Sequence, residues 1–111
     1  MMKRCISNEN FKDTGFYYTL SLIKGKYKMT ILYTLMEFKI VRFNDMKRYI
    51  GVISYKTLSQ TLKELENDGL INRKEYPQIP PKVEYSLTGR GKSLIPILDS
   101  LCDWGDNHKI Q

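Results

Sequence analysis

Lys56, Gln60 and Lys63 lie four and three residues apart in the segment SYKTLSQTLKELENDGLINR, which runs from Ser54 to Arg73, and Ser59 sits beside them. At roughly 100° per residue these side chains share one face of a helix. Leu58, Leu62 and Leu65 share the opposite face, as a core stripe does. The chemistry open to such a polar face is recognition. A glutamine amide can bond adenine at two atoms, and a lysine can reach the O6 and N7 edge of guanine. Hydroxyl and ammonium groups can also hold phosphate oxygens. Ser54 is placed to cap the helix start, and Gly69 to close its end. Lys56 and Lys63 occupy the earlier part of the segment, whereas Glu64, Glu66 and Asp68 crowd the later part. An anionic partner would therefore meet the N-terminal half. Lysines on an isolated amphipathic helix are most often only a solvated face, so the neighbouring elements have to decide.

Catalytic chemistry finds little to work with. His108 is the single histidine, and the two cysteines, Cys5 and Cys102, are far apart. Neither a disulfide framework nor a metal-ligand spacing results, and the chain is expected to be no enzyme and to hold no metal or cofactor. Its net charge of +6 over 111 residues favours an anionic partner, nucleic acid before membrane. With 41% hydrophobic and 27% charged residues, the composition is that of one soluble domain. No apolar run reaches the length of a membrane span, and the N-terminus lacks the apolar region of a signal peptide. A cytoplasmic protein is the expectation.

The elements around the polar helix give it a setting. Apolar periodicity predicts a first helix from Gly15, carrying Phe16, Tyr17, Leu20 and Ile23, and a second over Lys26–Met36. Ile40 to Phe43 reads as a small strand, and Asn44 to Ile50 as a third helix with Met46, Tyr49 and Ile50 inward. The turn Gly51-Val52-Ile53 leads into the fourth helix, making a helix-turn-helix pair. Leu70 to Tyr76 and Val83 to Leu87 read as paired strands, with Pro77, Pro80 and Pro81 in the loop between them. Thr88 is expected to cap a last helix reaching about Asp106 and kinked at Pro96. The fold class is mainly α with a small β-hairpin: a winged helix-turn-helix with terminal dimerisation helices. Residues 1–13 are expected as a mobile N-terminal segment. Residues 14–111 form the domain, its core over about 26–88.

Several segments carry a family resemblance: GKYK at Gly25–Lys28, Arg42-Phe43, ISYKTLSQTLKELENDGLINR at Ile53–Arg73, PPKVEYSLTGRG at Pro80–Gly91, and Trp104-Gly105. In this order and spacing they resemble the HxlR-type transcriptional regulators, a branch of the MarR-like winged-helix proteins. The resemblance runs from about Thr19 to Gly105. It implies a bacterial, dimeric protein that binds operator DNA. Two positions depart from the family pattern. Tyr27 stands where members typically carry Trp. Redox-sensing members have a cysteine about where Asp13 stands here, and Cys5 lies eight residues earlier.

Together the residues and the resemblance assign roles as expectations. Tyr55, Lys56, Ser59, Gln60 and Lys63 face the major groove, and Ser54 and Thr57 hold phosphate at the helix start. Lys82 in the wing touches the backbone or minor groove, while Arg42 and Lys26 hold flanking phosphates. Phe16, Leu20, Leu94, Ile97, Leu98, Leu101 and Trp104 form a stripe that pairs with a second copy. Tyr27, Tyr33, Tyr49 and Tyr85 fall on apolar faces and read as core. Cys102 lies at the edge of the dimer stripe, and Cys5, beside Arg4, is the residue for an oxidation switch. The expected function is a sequence-specific DNA-binding transcriptional regulator, a repressor before an activator, acting as a homodimer on a palindromic operator. The alternatives are a winged-helix protein-interaction module, or a sensor of the same fold that answers a small-molecule effector or an oxidant.

Overall fold

The computed structural model describes residues 10–110. Asn10 and Thr14 flank one 3-10 turn at Phe11–Asp13, inside the stretch expected to be mobile. The Phe11 ring lies 5.9 Å from Phe16 and 5.6 Å from Tyr17, which lays the turn against α1 (Gly15–Ile23). Thr14 caps α1 by accepting from the Tyr17 N–H at 3.0 Å. Gly25, at φ +125°, turns the chain into α2 (Lys28–Phe38). Tyr27 stands ahead of α2, and its hydroxyl donates to the Val52 carbonyl at 3.1 Å. Ile31, Leu32 and Leu35 put the inner face of α2 out of contact with water.

β1 (Ile40–Arg42) is shorter than expected, because Phe43 already opens α3 (Phe43–Ile50). α4 (Tyr55–Asn67) follows, with Leu58, Leu62 and Leu65 fully buried against the core of α2 and the sheet. Its C-terminus closes as a Schellman motif: Leu70 N–H bonds the Leu65 carbonyl, Gly69 N–H bonds that of Glu66, and Gly69 takes φ +76°. β2 (Ile71–Tyr76) and β3 (Lys82–Leu87) make the wing, and β1 joins the outer edge of β3. In this antiparallel sheet Val41 and Arg73 flank Tyr85, and Arg42 and Lys74 flank Glu84.

The C-terminal helix differs from the expectation. It is broken into α5 (Gly89–Lys92) and α6 (Ile95–His108), so Pro96 lies in the first turn of α6 instead of kinking an interior. A proline in a first turn removes no bond, since that N–H has no partner within the helix. The tyrosine expectation is also corrected. Tyr85 is buried, but Tyr33 and Tyr49 are 41% and 49% exposed, and Tyr49 stacks flat on Phe38 at 4.6 Å. A wide aromatic at the border of a helical stripe can cover its neighbours from outside without entering the core.

The Cα radius of gyration, 16.2 Å, exceeds the roughly 13 Å of a compact chain near this length.

One close approach holds the two ends of the wing together. Thr88 N–H bonds the Leu70 carbonyl at 3.1 Å, Thr88 Oγ1 donates to the Gly69 carbonyl at 2.6 Å, and Gly91 N–H bonds Thr88 Oγ1 at 2.9 Å. Gly91 packs so tightly there that a Cβ would overlap the Leu70 carbonyl oxygen. Backbone cannot give way as a side-chain tip can. Gly91→Ala is therefore expected to lower stability by about 2 kcal/mol or more, read as a lower urea midpoint with the slope unchanged.

Candidate nucleic-acid interface

Lys56, Ser59, Gln60 and Lys63 are all exposed on α4, directly behind three leucines that are wholly buried. The face is thus presented by a helix that cannot roll without exposing its core stripe. Tyr55, at the start of the same face, is also outward and makes two contacts through its ring. Its ring lies 6.0 Å from Phe43 at an interplanar angle of 11°, and the Lys47 ammonium sits 4.7 Å from its centroid. Ser54 forms the expected cap of α4. Its oxygen accepts from the Thr57 N–H at 3.0 Å while its hydroxyl donates to Thr57 Oγ1 at 2.9 Å. Cap geometry occupies that hydroxyl and half-buries Thr57.

Beside α4 runs a groove of about 420 Å³ lined by Ser59, Lys63 and Glu66 on one side and Arg73, Val83 and Tyr85 on the other. It shows that the wing strands and the exposed part of α4 look onto the same space. Arg73 donates from Nη2 to Glu75 Oε1 at 2.9 Å. That bond, seconded by the Tyr85 hydroxyl, raises the Arg73 pKa above its ordinary value. Alternation along β2 puts Arg73 on the same side as buried Ile71 and opposite Tyr85, so the strand pattern gave no signal for this residue, which the sequence reading passed over. A second groove, about 290 Å³, gathers Lys24, Lys26 and Lys28 around Gly25 and next to Thr57, Thr61 and Glu64 of α4. Lys26 is exposed there, with its ammonium 5.4 Å from the Tyr27 ring. Lys28 is paired inward with Glu64 at 3.5 Å. Lys24 was missed, although basic residues at every second position around a glycine were legible.

In the chain by itself Lys82 is engaged at the base of the wing. Its ammonium lies 3.3 Å from Glu84 Oε2 and 4.6 Å from the Tyr76 ring centroid, so the side chain folds back on the base of the wing. In a two-stranded ladder, Lys82 stands opposite Tyr76 and two residues from Glu84, and both are within its reach. Arg42 is exposed on β1, and its charge acts on the same Glu84. Arg42, Asn44, Pro80, Pro81 and Lys82 border a further groove of about 460 Å³ between α3 and the wing.

The stripe expected to meet a second copy also divides. Phe16, Leu20, Ile97, Leu101 and Trp104 are exposed, Trp104 by 66% and stacked on His108 at 4.3 Å. Leu98, only 5% exposed, belongs to the chain's own core, and Leu94 packs on it. Within the chain these two are thus engaged with the core, Leu98 fully and Leu94 in part. Cys102 is half-buried close to Tyr33, whose phenol is raised above its ordinary pKa by the Glu37 charge first and by Cys102 second. Cys5 lies outside the described residues. Among the described residues no His, Cys, Asp and Glu cluster is arranged to hold a metal, and no helix is long and apolar enough to cross a membrane.

Glu84 gives the wing base a pH dependence. Burial works to raise its pKa, but the Tyr76 hydroxyl donating at 3.0 Å, the Lys82 ammonium and the Arg42 charge together hold it below the ordinary glutamate value. The folded state thus binds this proton less readily than the unfolded chain. Its stabilisation is present above the unfolded pKa and is lost as pH falls through the folded one. A carboxyl NMR titration should place Glu84 below an ordinary glutamate, and Tyr76→Phe should move its midpoint upward. The stability difference between wild type and Glu84→Gln should shrink over the same acid range.

Comparison with known proteins agrees with this architecture. Residues 22–111 match the model of the HxlR-like helix-turn-helix family. An uncharacterised HTH-type transcriptional regulator of Halalkalibacterium halodurans is 63% identical over 97 residues, which cover 87% of this chain and 86% of that protein. The regulator YdzF of Bacillus subtilis is 53% identical over 94 residues, 85% of this chain and 86% of its own. Among solved structures, a putative HTH-type transcriptional regulator ytcD superposes with a TM-score of 0.80 at 47% identity, covering 86% of this chain and 96% of that one. The redox regulator HypR in its reduced form gives 0.80 at 39%, over 85% and 92%. With the family model spanning most of its length and these relatives aligned almost end to end, the chain belongs to the HxlR-like helix-turn-helix family.

Proposed function

We propose that the protein is a DNA-binding transcriptional regulator that places the N-terminal half of α4 in the major groove and works as a two-fold dimer. The observation that carries this reading is the make-up of the α4 face. Lys56, Ser59, Gln60 and Lys63 are exposed together on a helix whose other face is completely buried. A protein-binding version of this fold would expose apolar side chains there. The large ring on this face, Tyr55, is instead stacked against Phe43 and Lys47. Gln60 and Lys56 read base edges, and Lys24 and Lys26 hold the backbone beside them. The relatives named as HTH-type transcriptional regulators support the same assignment.

The exposed remainder of the terminal stripe, Phe16, Leu20, Ile97, Leu101 and Trp104, supports dimerisation through α1 and α6. A two-fold axis there would set the two α4 helices in successive major grooves about 34 Å apart. Repression by covering a promoter is the mode this geometry serves most directly. Control by oxidant is the variant favoured by the neighbour titled a redox regulator. In this chain it would act through Cys5, so alkylating Cys5 should change DNA affinity.

Selection from random duplex DNA should enrich an inverted repeat with half-sites about one helical turn apart. Lys56→Ala with Gln60→Ala should abolish that preference while sedimentation still shows a dimer. If the double variant selects the same repeat, α4 is not the reading element. Leu101→Asp with Trp104→Asp should give a folded monomer by sedimentation, since both side chains are exposed within the chain itself, and should lose affinity for the two-half-site duplex.

A further inference from the structure

The end of the wing is unlike the rest of the basic face. Between the two strands the chain reads Pro77-Gln78-Ile79-Pro80-Pro81, without a charge. The nearest cation, Lys82, is folded back onto Glu84 and the Tyr76 ring, so it does not extend to the tip. Ile79 does: it is 100% exposed, against 6% for Ile53 and 2% for Ile71 in the core. Prolines at 77, 80 and 81 restrict the backbone on both sides of it, so this apolar side chain is held out with little conformational freedom to lose. The location matters as well. The wing strands and α4 share the groove lined by Ser59, Lys63, Arg73 and Val83, so the base of the wing borders the face assigned to DNA.

We propose that Ile79 is a wedge that enters the minor groove next to the half-site read by α4, partly unstacks a base step and bends the duplex. The proposal rests on the DNA-binding reading above. Isoleucine and proline are among the side chains that perform this insertion in minor-groove binding proteins, and an uncharged tip can do so without ordering a cation. Unstacking is easiest at pyrimidine–purine steps. The wing would therefore add sequence preference at positions where no side chain bonds a base edge. The wing then contributes deformation of the duplex, whereas α4 contributes direct readout.

The test uses the intact protein and the duplex recovered by selection, with fluorescent dyes at its two ends and 2-aminopurine at the step facing the wing. Binding of wild type is expected to bring the ends closer and to brighten 2-aminopurine. Ile79→Ala, at a fully exposed position that carries no packing, should lose both signals. It should bind about tenfold more weakly, with an unchanged slope of affinity against salt because no phosphate contact is removed. Ile79→Lys should steepen that slope and regain affinity at low salt while leaving the duplex straighter than wild type does. Specific binding of wild type to a duplex that stays straight overturns the wedge, and so does equal bending by Ile79→Ala. A tip that docks another protein would give the latter result. Absence of any sequence-specific binding by wild type overturns the DNA-binding reading itself, and the wedge falls with it.

Discussion

Leu58, Leu62 and Leu65 are removed from water on one side of α4, packed with Ile31, Leu32 and Leu35 of α2 and with Ile71 and Leu87 of the sheet. Each such leucine contributes on the order of 2 kcal/mol by burial, and rolling the helix by a fraction of a turn would expose all three at once. This burial fixes the direction of the outer face to within what side-chain rotation allows. The joint at Leu70 extends the constraint beyond α4. Its carbonyl accepts from Thr88, Gly91 lies against it, and Thr88 also bonds Gly69. The end of α4, both roots of the wing and the start of α5 therefore meet at one backbone position. The wing cannot be re-aimed independently of the helix beside it.

Charge on the molecule falls into two groups. Lys28 with Glu64, Lys82 with Glu84 and Arg73 with Glu75 are engaged within the fold. These pairs are partly or largely exposed and contribute little stability each, but they fix where long side chains lie. Among the cations on the interface, Lys56 and Lys63 on α4 and Lys26 ahead of α2 are outside these pairs. The net charge of +6 is thus a poor guide to the surface that a duplex meets. The surface proposed to meet DNA carries Lys56 and Lys63 along α4 and Lys26 in the loop beside it.

The terminal helices show a complementary arrangement. Leu22 and Ile23 of α1, and Leu94, Ile95 and Leu98 around the start of α6, lean on the core. The outer residues of both helices, with Trp104 the most exposed of the α6 stripe, stay exposed among the described residues. A second copy is the occupant that the proposed function assigns to this exposed surface.

Local chemistry was legible in the sequence wherever it rests on neighbours along the chain. The caps at Ser54 and Thr88, the Schellman close at Gly69, the inward leucines of α4 and the proline-bounded wing all follow from spacing and residue type. So does the polar face of Lys56, Ser59, Gln60 and Lys63, because the period of a helix determines which residues share a side. The tertiary structure decided what depends on distant partners. Lys82 reads as a free wing cation until Glu84 and Tyr76 are folded beside it. Pro96 reads as a kink until the chain stops a helix at Lys92 and restarts it at Ile95. Leu98 and Trp104 stand on the same apolar stripe, yet one is core and the other surface. An amphipathic pattern states that a side must be covered and leaves open by what, since burial is set by the elements that arrive from elsewhere in the chain.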